Sequence, residues 1–327
     1  MSTSLVERHR IDVHTHYIPE IYREAALAAG HSKPDGMPAM PRWSADENIR
    51  FMNERQIETA LLSVSSPGVN FGNPEVAARL ARAVNRESAE LRETHPGRFG
   101  FFASVTLPDV ETSIEEAVYA LDELGADGVV LFTNNNGQYL GDDAMRPLFE
   151  VLSDRHAKVF VHPTGPACGD ALCLGRPAPI VEFLLDTTRA ISNLILSGTL
   201  DAHPNCTFIM PHAGGSIASI ADRVAEISSR LLPAPTNEID FLGHLRSFYY
   251  DLAGFPVPRQ LLSVLGLIDI DHLLFGSDWP FTAEPTIATQ VALIESTDLL
   301  TDSDRRLIDR TNALSLFPQY TNGADNV

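Results

Sequence analysis

Ile11-Asp12-Val13-His14-Thr15-His16 is a short, largely apolar run that ends in two histidines spaced i and i+2. On an extended strand that spacing puts both imidazoles on one face, where a single ion can take both. By itself the pair reads more simply as two packed or solvated histidines. Its weight comes from its setting. A first β-rich run, Arg10–His14, is followed by others at Thr59–Val64, Phe99–Val105, Gly128–Thr133, Lys158–His162, Thr207–His212, Phe248–Leu252 and His272–Ser277. These runs are nearly continuous in apolar residues rather than alternating, the pattern of parallel strands covered on both faces. Eight of them separated by helix-length segments predict an α/β chain folded as a (β/α)8 barrel. Such a barrel needs about 250 residues, so 327 leave room for an insertion and a C-terminal helical extension. A doubly wound sheet is the alternative, but neither a G-x-G-x-x-G after the first strand nor a P-loop is present to favour it.

The clearest helical patterns cover Pro74–Thr94, Val110–Leu124, Ala144–Arg155, Ile180–His203, Ser216–Leu232 and Asp302–Leu316. Residues 17–55 are longer than a βα connection needs and carry Pro34, Gly36, Pro38 and Pro41, which predicts a lid over the barrel mouth within one domain spanning 1–327. Pro163–Pro179 reads as a second long loop on the same face.

The other candidate groups fall where that barrel converges side chains. His162 ends the fifth run, His212 ends the sixth before Ala213-Gly214-Gly215, and Asp278 follows the eighth in Gly276-Ser277-Asp278-Trp279-Pro280. With His14 and His16, they place five ligands or proton-transfer groups at strand C-terminal ends, the catalytic rim of such barrels. His9, His31, His95, His156, His203, His244 and His272 lie elsewhere and read as structural or solvated. Imidazoles with a carboxylate suit a divalent ion, zinc by default and manganese as the alternative.

Composition narrows the partners. The chain has 24 Lys and Arg against 43 Asp and Glu, a formal net charge of −19, which opposes binding to phosphate backbones or anionic membranes. Cys168, Cys173 and Cys206 form no closed disulfide framework and no zinc-ribbon spacing. Together with a polar start and no long apolar run, they predict a cytoplasmic protein.

The motifs IDVHTHYIP, VFVHPTGP, IMPHAGGS and LLFGSDWPF, in that order, resemble the amidohydrolase superfamily, and within it the branch of metal-dependent, non-oxidative decarboxylases. The resemblance also takes in RFGFFASV, DGVVLFT and SFYYDLAG. It implies that His14, His16, His162 and Asp278 bind one metal ion, with His212 and Asp278 in catalysis. It also implies that Arg223, eleven residues after His212, meets the substrate carboxylate, in some members across a dimer interface, and that Phe281 packs on the substrate ring. Arg42, beside Trp43, lies where some members hold a carboxylate-binding arginine, and Asp251 ends the seventh run, where it orients a ligand or makes a structural hydrogen bond.

The implied activity is decarboxylation of a small aromatic or uracil-like carboxylic acid, most readily an ortho-hydroxybenzoate of the 6-methylsalicylate type, in a homodimer or higher homo-oligomer. A metal-dependent lactonase or amidase is the second reading. Leu131-Phe132-Thr133 ends the fourth run without the lysine that binuclear hydrolases often carry there, so one metal is expected. A barrel that binds without turning anything over is the third reading.

Overall fold

The computed structural model describes residues 9–321. Eight parallel strands follow one another in spatial order: β1 Arg10–His16, β2 Ile57–Ser63, β3 Phe99–Ser104, β4 Gly128–Phe132, β5 Lys158–His162, β6 Thr207–Met210, β7 Tyr249–Asp251 and β8 Leu273–Leu274. The ring closes because the chain beyond β8 runs on beside β1. Val13 N donates to Phe275 O at 3.1 Å, and Asp278 N donates to His14 O at 2.7 Å. With helices outside, this is the (β/α)8 architecture expected.

Local chemistry sets the helices. Asn73 caps helix Pro74–Thr94 by accepting from Val76 N, ahead of a proline in the first turn. Asp109 caps Val110–Asp122 through Thr112 N. The single helix expected over Ile180–His203 is instead a short 3-10 turn, a helix Glu182–Leu196 and a separate turn Thr199–Ala202, parted at Gly198, whose φ of +74° no helix accommodates. The expected lid is not irregular throughout: it holds helices Glu20–Ala28 and Ala45–Glu54. A hairpin, Asn134–Asn135 with Gln138–Tyr139, was not anticipated.

Ile11, Val13, Leu61, Phe102, Val130, Phe160, Ile209 and Leu274 fill the barrel interior. Ala313, Leu316, Phe317 and Tyr320 of the C-terminal extension close it from below, Phe317 standing edge-on to Phe102 at 6.0 Å. No described helix is long and apolar enough to cross a membrane.

Candidate metal centre

The two histidines of β1 reach the barrel interior through an irregularity. Asp12 pairs with Ala60 but Thr15 with Leu62, so β1 carries one residue more than β2 between these points. The extra residue shifts the alternation. Ile11 and Val13 face the interior, and after it His14 and His16 do too, with His14 edge-on to Phe160 at 5.0 Å. Asp12 anchors the irregular stretch: its Oδ1 accepts from His14 N at 3.1 Å and from Ser277 N at 3.0 Å.

At the C-terminal ends of β1, β5 and β8 the ligand atoms of His14, His16, His162 and Asp278 all lie within 4.8 Å of one another. Each imidazole is turned by an acceptor on its Nδ1. Asp251 Oδ2 lies 2.8 Å from His14, Ser63 Oγ 3.0 Å from His16, and Pro163 O 2.7 Å from His162. Acceptors there fix the Nδ1–H tautomer and leave each Nε2 lone pair for the centre of the cluster. Nε2 of His14 and of His16 is buried with no hydrogen-bond partner, a costly arrangement unless something binds there. Gly276 permits the approach: a Cβ on it would stand 2.9 Å from His14 Cβ.

The electrostatics agree. Burial, with the neighbouring imidazoles, holds His162 well below its ordinary pKa, and His16 is lowered mainly by burial. Burial also opposes charge on His14, but the Asp251 and Asp278 carboxylates overcome it and raise His14 to about 10. Burial pushes Asp278 up, yet the His14, His16 and His212 imidazoles around it hold it well below the usual carboxylate range. Asp278 is thereby kept ionised and His16 and His162 neutral, and the donor set of three imidazoles and one carboxylate fits a divalent cation.

Asp278 sits at φ +61° and His212 at +51°, both in the left-handed region that non-glycine residues seldom occupy. His212 Nε2 lies 3.9 Å from Asp278 Oδ2, which also accepts from Thr282 Oγ1 at 2.9 Å. Asp251 serves several neighbours at once: besides His14, its Oδ1 accepts from His212 N and from Ala253 N, each at 3.0 Å. We expect Asp251→Asn to weaken metal affinity about 10- to 100-fold, measured by chelator competition, because an amide cannot offer two anionic oxygens.

A cavity of about 280 Å³ opens on the cluster, lined among others by Asp35, Met37, Ile180, Phe255, His212 and Phe281. Phe281 packs edge-on against His16 at 5.6 Å between ring centres. Arg42 and Arg223 are exposed and do not line this cavity; Arg223 lies instead on the outer face of helix Ile217–Leu231. Sequence reasoning passed over Asp12, whose only signal was a carboxylate within the first strand, and Asp35.

A closed barrel whose C-terminal rim gathers three imidazoles and a carboxylate defines a metal-dependent enzyme of the amidohydrolase type. The chain belongs to the amidohydrolase family, whose model matches residues 11–319. It is 38% identical to Decarboxylase yanB of Aspergillus niger, over 97% of this chain and 89% of that protein. It is 35% identical to the 6-methylsalicylic acid decarboxylase of Penicillium expansum, over 95% and 96% of the two chains. Among solved structures, the dihydroxybenzoic acid decarboxylase of Polaromonas sp., with bound manganese and the inhibitor 2-nitroresorcinol, has the same fold, with a TM-score of 0.82, 24% identity and coverage of 95% and 97%.

Proposed function

We propose that this protein is a metal-dependent, non-oxidative decarboxylase of a small ortho-hydroxybenzoic acid of the 6-methylsalicylate type. The observation that carries the reading is the buried donor set of His14, His16, His162 and Asp278, opening on a small aromatic-walled cavity with His212 beside Asp278. The decarboxylase relatives support the reaction. A divalent cation held there would anchor the acid and withdraw electron density from its ring.

The chain's own groups supply the rest. Phe281 offers an aromatic face to the ring and, with Phe183 and Leu184, an apolar lining to the cavity. As the ring–carboxylate bond breaks, its electron pair stays on the ring carbon, and a proton taken up from solvent replaces carbon dioxide there. Asp278 delivers that proton, and His212 at 3.9 Å sets its protonation.

We assign zinc to the site, with manganese, present in the Polaromonas relative, as the alternative. We further propose a cytoplasmic homodimer built on helix Ile217–Leu231, where Ile220, Ile227 and Leu231 are exposed beside Arg223. Arg223 then meets the substrate carboxylate in the partner's cavity.

Carbon dioxide release from 6-methylsalicylate, 2,6-dihydroxybenzoate and 5-carboxyuracil by metal-quantified protein tests the reading. Release is expected from 6-methylsalicylate, lost on chelation and restored by zinc or manganese. Hydrolysis of a lactone or ester panel with no release from any acid would replace it with a hydrolase.

A further inference from the structure

The lid turn Pro34–Gly36 brings a carboxylate to the cavity wall. Asp35 lines the cavity with Ser65 and Ser66, and among the described lining residues there is no lysine or arginine. The placement is built rather than incidental. Asp35 adopts φ +52°, and its Oδ1 accepts from Gly165 N at 3.0 Å. Ser66 hydrogen-bonds the Asp35 carboxyl and also lies 2.8 Å from Thr164 Oγ1, so one acidic side chain ties the lid tip to the loops after β2 and β5. Gly36 lies so close to Pro177 that an added Cβ would stand 3.0 Å from its Cα.

Arg42 is exposed and does not line the cavity, and the lid turns an acid inward instead. Burial pushes the Asp35 carboxyl above its ordinary pKa, with Ser66 and Gly165 pulling it back. A second negative charge carried into this poorly hydrated corner meets a like charge that no lysine or arginine of the described lining offsets, the His31 imidazole near Asp35 lying outside that lining. A hydroxyl there finds an acceptor.

We propose that Asp35 is a specificity-determining residue that restricts the enzyme to acids with a single carboxylate and rejects diacids of the isophthalate or muconate kind. The proposal rests on the decarboxylase reading for its reaction, though not for its binding preference.

The test compares 2-hydroxybenzoates bearing methyl, hydroxyl or carboxylate at each remaining ring position, with manganese in excess. The protein is used as wild type, Asp35→Asn and Asp35→Ser. Asparagine keeps the size and an acceptor for Gly165 N while removing the charge. In the wild type, the best diacid is expected to fall at least 100-fold below the best methyl compound in kcat/KM. Both variants are expected to raise that diacid-to-methyl ratio 10-fold or more.

A wild-type diacid within 3-fold of the methyl compound, or a ratio unchanged in both variants, overturns the proposal. If no acid is turned over, the decarboxylase reading fails separately. The same ratios, taken as dissociation constants by calorimetry on manganese-loaded protein, then decide on Asp35 by the same thresholds.

Discussion

Asp278→Asn is expected to lower kcat about 1,000-fold even with metal in excess, within the range that loss of a positioned acid or base produces. Asp278 faces two ways: Oδ1 lies 3.2 Å from His16 Nε2 and 3.5 Å from His14 Nε2, while Oδ2 faces His212 at 3.9 Å. Under the proposed function, one oxygen would serve the metal cluster and the other the proton path. Asparagine keeps the shape and one ligand oxygen but cannot carry the proton. Titrating metal into the variant separates the two losses. Excess zinc or manganese should restore occupancy, seen by metal analysis, without restoring turnover. Recovery of wild-type kcat at high metal would reduce Asp278 to a ligand and leave the proton to His212.

Removal of the metal should also loosen the protein. The His14 and His16 Nε2 atoms lie buried without hydrogen-bond partners, and burial disfavours charging His16 and His162 to satisfy the Asp278 carboxylate when no cation is bound. At free metal about 100 times the dissociation constant, binding stabilises the folded state by about 2.7 kcal/mol. For a chain of this size that is on the order of 4 °C in Tm. Calorimetric scans of chelated and reconstituted protein measure it directly. Equal melting temperatures would mean that these four side chains hold no ion of consequence.

The eight strands and the clustering of the rim histidines were readable from the chain because both are written locally. Apolar runs mark strands buried on two faces, and a strand end locates a rim. The extra residue in β1 was not readable, since His14 and His16 share a face with or without it; only pairing to Ala60 and Leu62 reveals which face. The hairpin at Asn134–Tyr139 did carry a signal, the Asn136-Gly137 pair that now occupies its turn at φ +53° and +87°. Helix Glu20–Ala28 was hidden among proline-rich lid residues, although a glutamate in its first turn and buried Tyr22 and Ala26 mark it once its packing is known. Asp35 and the exposed position of Arg42 depend on how the lid folds back against Gly165, a contact across 130 residues that no local pattern encodes.

The seal beneath the barrel governs traffic. With Leu316, Phe317 and Tyr320 stopping the lower end and Phe102 stacked on Phe160 above them, the described residues leave the cavity no opening through the barrel floor. The cavity has Met37 of the lid and Phe255, 46% exposed, among its lining residues, and under the proposed function acid, proton and both products pass through its opening. Carbon dioxide and the decarboxylated ring therefore leave against the direction in which the next acid arrives, and a product that lingers in that doorway competes with its own precursor.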